Sequence, residues 1–221
     1  MENPTQALET PEGISYGPPP LEMDPHAPFL PAFWITLKRV ILHPVYFFKD
    51  LPEEGGIGIP LAFALVIGTF GWVAGLFWQI LAIVTVDSLI GLPASVSRYG
   101  VKALLMIMIF VPLILVFAIF LTSYLVHLGL MVFQAHPRRY QVTFKVIAYS
   151  QAAQWTRIFP LLGGLAATCW VMGLEWVGLK AVHRTSYLKA FGSLIFPLLL
   201  TVVIWVIIVL FFQLISYRFS S

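Results

Sequence analysis

The sequence predicts an all-α protein: a polytopic transmembrane helix bundle of about five spans, four firm and the third short and polar, preceded by an interfacial amphipathic helix. Three observations carry that prediction. The 221 residues are 59% hydrophobic and only 10% charged, with a mean hydropathy of +0.89, whereas soluble domains carry about 25% charged residues. Runs at 59–86, 103–133 and 194–215 hold no Asp, Glu, Lys or Arg, and each supplies the roughly 20 residues that cross a hydrocarbon core of about 30 Å. The charge is also uneven: residues 1–37 hold five acids and no Lys or Arg, leaving 13 bases against five acids in the rest.

Residues 1–28 read as a disordered, acidic, proline-rich tail. Eight of the sixteen prolines fall in residues 1–31, and such a run neither holds a helix nor buries a core. Gly17 to Pro20 has the form of a polyproline ligand, but without a basic anchor it reads better as a solvated linker. Neither a secretory signal nor an Arg-rich presequence is visible, so the first span is expected to be the insertion signal.

Residues 29–51 are apolar yet interrupted by Lys38, Arg39 and Lys49. At 100° per residue Phe33, Trp34, Leu37, Val40 and Ile41 form one stripe, with Lys38 and Arg39 outside it. This is the pattern of a helix lying in the membrane interface, anchored by Trp34, Lys38 and Arg39, and Pro44 ends or kinks it after Leu42. The alternative is a helix packed on the rest of the protein.

The transmembrane domain then occupies 52–221, with spans at about 59–86, 103–133, 143–161, 164–182 and 194–215. In the last, fifteen of the eighteen residues from Ile195 to Phe212 are Ile, Leu, Val or Phe, worth roughly −6 kcal/mol for insertion at about −0.4 kcal/mol each. Residues 103–133 are too short for two spans and form one tilted helix through Pro112. Residues 141–182 allow two readings, because Lys145, Arg157, Glu175 and Pro160 interrupt them. One has a single span at 158–182 after a surface helix; the other has two spans joined at Gly163-Gly164. Bases collect on the cytoplasmic side, and only the two-span reading returns Lys180, Arg184 and Lys189 to the side of Lys38, Arg39, Lys49, Arg138 and Arg139. Five spans follow, with the N-terminus in the cytoplasm.

Glu175 is the most expensive residue in the domain if charged near the bilayer centre. A turn at Gly163-Gly164 brings Gln151 and Gln154 within a turn of it in depth. These three residues are the candidate intramembrane polar site, either for a proton, ion or headgroup or as a hydrogen-bonded device fixing helix pairing. Gly68, Gly71 and Gly75, together with Gly163 and Gly164, are candidate helix-packing glycines, and Gly71 to Gly75 matches the GxxxG form. That face serves either homodimerisation or packing within the chain, with the second favoured. His127 reads as a packed histidine.

One cysteine, Cys169, excludes an internal disulfide, a Cys-Cys-His-His set and a CxxC pair. No HExxH, phosphate loop or GxSxG elbow occurs, so neither an enzyme nor a cofactor is expected. The partners expected are the lipid bilayer and other membrane proteins or a second copy, with no nucleic acid.

The order Trp34, His43-Pro44, Phe47-Phe48 and Leu51, then Pro60, then Thr143-Phe-Lys145 with Ala148-Tyr-Ser-Gln-Ala152 and Gln154, then Phe159-Pro160, then Gly178-Leu-Lys180 with His183 and Ala190, resembles the bacterial branch of the Yip-domain family. The resemblance covers residues 30–215. It implies a multipass membrane protein with a cytosolic N-terminus and about five spans. The eukaryotic relatives, the Ypt/Rab-interacting membrane proteins, act in Golgi and endoplasmic reticulum traffic, and the role of the bacterial ones is unknown. Here Ala148 replaces the glycine of the family's G-Y-S element and Pro160 is displaced, so small-GTPase binding does not carry over. The expectation is a non-enzymatic scaffold or organiser of membrane or protein complexes in a bacterial cytoplasmic membrane. The alternative is a small transporter or channel centred on Glu175.

Overall fold

The computed structural model describes residues 17–23, 28–93, 95–135 and 137–220, with the backbone alone at 95, 96, 212 and 214–220, and among them the only regular structure is helical. The chain runs through α1 (Pro20–Met23), α2 (Phe29–Leu42), α3 (Pro44–Lys49), α4 (Gly58–Ile90), a π-helical turn (Ser95–Tyr99), α5 (Gly100–Val132), α6 (Tyr140–Ser150), a 3-10 helix (Gln151–Ile158), α7 (Gly163–His183) and α8 (Tyr187–Ser220). Breaks fall where backbone chemistry dictates. His43 ends α2 and Pro44 opens α3 at its first position, where a missing N–H is harmless. Gly91, at φ 65°, closes α4 in the left-handed conformation with its N–H on the Asp87 carbonyl.

Among the described residues, four helices are long and apolar enough to cross a membrane: Gly58–Ile90, Ser97–Val132, Gly163–His183 and Tyr187–Phe211. The run at 103–133 is one helix through Pro112, as expected. The segment expected as the short third span lies outside these four. It forms a continuous rod, α6 followed by the 3-10 helix, whose 11 and 8 residues rise about 32 Å in all. Every residue from Val142 to Gln154 in this rod is buried.

Contacts along the rod give its direction. Tyr149 meets Phe63 with ring centroids 5.2 Å apart, Gly71 abuts Gln154 and Gly75 abuts Arg157, and the Trp78 indole donates to the Ile158 carbonyl at 2.9 Å. The rod therefore climbs parallel to α4. Helix α7 descends against it, with Gly163 on Thr156 and Gly178 on Val146. Helix α5 runs antiparallel to α4, with Gly68 against Leu115 and Gly100 beside Ile83, and α8 leaves along α5, with Gly129 against Ser193. One end of the bundle thus gathers 52–55, 133–135, 137–139 and 184–186, and the other gathers 91–93, 95–99 and 159–162.

One expectation for the N-terminal third changes. Residues 17–23 do not belong to a disordered tail or a solvated linker: Pro19, Leu21 and Glu22 lie against the bundle, with Pro19 and Leu21 buried. Residues 1–16 and 24–27 lie outside the described residues. Helix α2 packs on the bundle through Ala32, Thr36, Leu37 and Val40, and of its stripe Leu37 and Val40 are buried, Phe33 and Ile41 half-buried and Trp34 exposed. A run of rings ties this region to the rod, Phe33 to Phe63, Phe63 to Tyr149 and Tyr149 to Phe47, at 5.0–5.2 Å between centroids.

Candidate functional site

The polar residues of the bundle converge on the rod. Lys145 is fully buried, yet its ammonium is saturated: Nζ donates to Glu22 Oε2 at 2.5 Å, to the Pro52 carbonyl at 3.0 Å and to the Glu54 carbonyl at 2.8 Å. The other oxygen of Glu22 accepts from the Tyr149 hydroxyl at 2.8 Å. Only 4% of the Glu22 side chain is exposed. A buried charge is tolerable when paired and hydrogen-bonded, and here three donor positions and both carboxylate oxygens are used. The clamp joins the N-terminal segment, the loop before α4 and the rod at one point.

Near the clamp, Thr143 bridges two histidines. The Arg138 backbone N–H donates to His183 Nδ1 at 3.1 Å, so in the neutral ring the proton is on Nε2, which lies 3.0 Å from Thr143 Oγ1. The Thr143 hydroxyl then donates to His127 Nδ1, 2.9 Å away. The donor inventory of these groups leaves one direction for the chain when both imidazoles are neutral. His127 is packed, as expected, but through a partner 16 residues on that sequence spacing did not indicate.

Further up the rod a second chain runs along its axis. Gln151 Nε2 donates to the Ile147 carbonyl at 3.4 Å, Gln154 Nε2 donates to Gln151 Oε1 at 3.1 Å, and Arg157 Nε donates to Gln154 Oε1 at 2.6 Å. The Arg157 guanidinium lies 4.0 Å from the centroid of Trp72. Gly75 and Gly164 lie beside it, where a Cβ on either would be 3.6 Å from an Arg157 atom, an ordinary contact.

The expected grouping of Glu175 with Gln151 and Gln154 does not form as a hydrogen-bonded set. Both glutamines are buried, at 8% and 6% exposure, but they bond to each other and to Arg157. Glu175 is 6% exposed, and its carboxyl group makes no hydrogen bond with any described residue. The reason is register. The turn is Phe159–Leu162, closed by Leu162 N–H on the Pro160 carbonyl, and the 3-10 helix rises about 2.0 Å per residue against about 1.5 Å in α7. Gly178 consequently faces Val146, which puts Glu175 nearer the level of Tyr149 than of Gln154.

The glycines lie where helices meet. A Cβ at Gly71 would be 2.2 Å from the Gln154 carbonyl oxygen, and one at Gly163 would be 2.3 Å from that of Thr156. No side chain fits there. Gly68 meets Leu115 Cδ1 at 3.1 Å, and Gly164 only the flexible Arg157. The GxxxG face therefore packs within the chain, against the 3-10 helix. Of the three expected anchors, Lys38 holds its ammonium 5.5 Å from the Trp34 ring centroid, and Arg39 is half-buried with its carbonyl accepting from His43 N–H.

Sequence reasoning missed the Glu22–Lys145–Tyr149 clamp, the Thr143 bridge, Gly129 and Gly178. One signal pointed to the clamp: a lysine inside a span needs a counter-ion, and half of the ten acids lie before residue 38. Among the described residues, no three His, Cys, Asp or Glu side chains come together as a metal set.

No curated protein and no solved structure matches the chain. The family model of the Yip1 domain matches residues 38–208, a stretch that runs from α2 through most of α8 and includes the rod, the Thr143 bridge and the lysine of the clamp. With four membrane-crossing apolar helices and a match over most of its length, the chain is an integral multipass membrane protein that belongs to the Yip1 domain family.

Proposed function

We propose that this protein is a non-enzymatic scaffold that organises membrane or protein complexes in a bacterial cytoplasmic membrane, with its N-terminal segment on the cytoplasmic side. The observation that carries the reading is the clamp: Lys145, inside the bundle, spends its hydrogen bonds on Glu22 and on two carbonyls of the loop before α4. The bundle thereby fixes where the acidic, proline-rich segment leaves the membrane surface. That is what a protein needs when its task is to present a segment to partners. In this reading the rod is the third of five crossings, and the end bearing Lys49, Arg138, Arg139, Lys180, Arg184 and Lys189 faces the cytoplasm, in keeping with the bias of bases to that side. The partners are other membrane proteins or a second copy.

Proximity labelling from the N-terminal segment tests this. A defined set of membrane neighbours, changed when Glu22→Leu releases the segment, is the expected result; labelling no different from a membrane-anchored control contradicts it. A second reading, a small transporter, is favoured by one observation, the buried Glu175 without a hydrogen bond to any described residue. Saturable flux in liposomes that Glu175→Gln abolishes would establish transport and displace the scaffold.

A further inference from the structure

At the same end of the bundle as the clamp, but separate from it, α3, α7 and the start of α8 enclose an open pocket of about 380 Å³, within the range of about 300–1,000 Å³ typical of ligand sites. Four bases line it: Lys49 at the end of α3, Arg138 from the loop after α5, Lys180 in the last turn of α7 and Arg184, which follows it. Opposing charge is smaller. Glu53 pairs with Arg138, Asp50 follows Lys49 at the end of α3, and the C-terminal end of α7 contributes roughly half a negative charge, so positive charge remains in excess. Lys49 and Arg184 are exposed and form no ion pair with any described acid. Lys180 is held over the Tyr187 ring, 4.0 Å from its centroid.

Apart from Thr185 and Tyr187, the remaining walls are apolar. Val45, 52% exposed, and Leu51 line the pocket beside the bases. Arg138 comes from the loop after α5, and Arg184 and Thr185 follow α7, so the pocket lies where the apolar helices end, which is the level at which headgroups meet water. Bases converging beside apolar walls at that level fit an amphipathic anion, because phosphate takes the cations while glycerol and upper acyl carbons take the apolar wall. We propose that this pocket binds the phosphate headgroup of an anionic phospholipid. The assignment is independent of the scaffold reading, since it rests on the pocket alone.

The test uses the full chain in detergent micelles, titrated with fluorescent phosphatidylglycerol and, separately, phosphatidylcholine, each with and without millimolar inorganic phosphate. Phosphatidylglycerol should bind at least tenfold more tightly, and free phosphate should leave it bound. Lys49→Gln with Arg184→Gln should remove most of that preference, Arg184→Lys should keep it, and Arg98→Gln with Lys102→Gln at the opposite end should leave it unchanged. Lys49→Gln alone, on an exposed position, should lower affinity severalfold, which keeps the test decisive if the double variant is poorly folded. Equal binding of the two lipids, or phosphatidylglycerol binding that Lys49 and Arg184 do not affect, would overturn the proposal. Displacement of the lipid by millimolar phosphate would overturn it too, by assigning the pocket to the free anion.

Discussion

The α6 to 3-10 rod and α8 are opposites. Helix α8 is among the most apolar stretches of the chain, with a mean hydropathy of 3.1 over its best window and none of that window buried. The rod carries Lys145, Gln151, Gln154 and Arg157, lies outside the four apolar helices, and is buried from Val142 to Gln154. In water the apolar helix would be inside and the polar one outside. In a bilayer lipid is the apolar phase, so hydropathy reports which helix faces lipid. Polar groups retreat to the centre, where they find one another. The difference also separates two modes of cohesion: the rod is held by hydrogen bonds and close glycine contacts, and α8 mainly by insertion and by its seam with α5.

Changes in the rod should therefore cost far more than changes in α8. The largest effect is expected for Lys145→Met, which leaves the Glu22 carboxylate buried with Tyr149 as its remaining donor; removing one member of a buried pair costs about 3–5 kcal/mol, read as thermal stability in detergent. Next comes Gly71→Ala, whose Cβ would be driven against the Gln154 carbonyl. Overpacking of this kind costs about 1–3 kcal/mol, and Gly164→Ala, whose Cβ would meet only an Arg157 side-chain atom at an ordinary 3.6 Å, should cost much less. If the two alanines behave alike, the close contact between α4 and the 3-10 helix is wrong.

Gln154→Leu deprives both Gln151 and Arg157 of a partner, for about 1–3 kcal/mol, with membrane measurements favouring the lower end. A double-mutant cycle between Gln154→Leu and Glu175→Leu should show no coupling, because the two side chains share no hydrogen bond. The smallest effect belongs to α8: Leu199, 52% exposed, should tolerate alanine within about 0.5 kcal/mol. A loss there as large as for Gly71→Ala would erase the contrast between the two regions.

The same contrast explains what was legible in the sequence. Spans α4, α5 and α8 stand out because lipid exposure requires the apolar runs that hydropathy detects. The rod needed the distribution of bases to be seen at all, since Lys145 and Arg157 interrupt it and only its neighbours make them tolerable. Gly71 and Gly163 were identified by spacing, but what they touch was not, because small residues serve contacts within and between chains equally. The Glu175 pairing failed on two local facts, a turn at Phe159–Leu162 and a steeper 3-10 rise, neither of which is encoded in hydropathy. The docking of Glu22 was hidden by composition: Gly17 to Met23 reads as a solvated proline-rich stretch, and its burial depends on a lysine more than a hundred residues away.

The central claim is that the N-terminal segment is fastened to the rod by the Glu22–Lys145 pair, and a double-mutant cycle tests it most directly. Thermal unfolding in detergent would be followed for Glu22→Leu, Lys145→Met and the two together. Because replacing both partners of a buried pair by apolar groups is far milder than removing one, the double variant should be more stable than Lys145→Met alone, with a coupling of at least about 2 kcal/mol. Losses that simply add would contradict the account: Glu22 would then not be the counter-ion of Lys145, and the N-terminal segment would be free of the bundle.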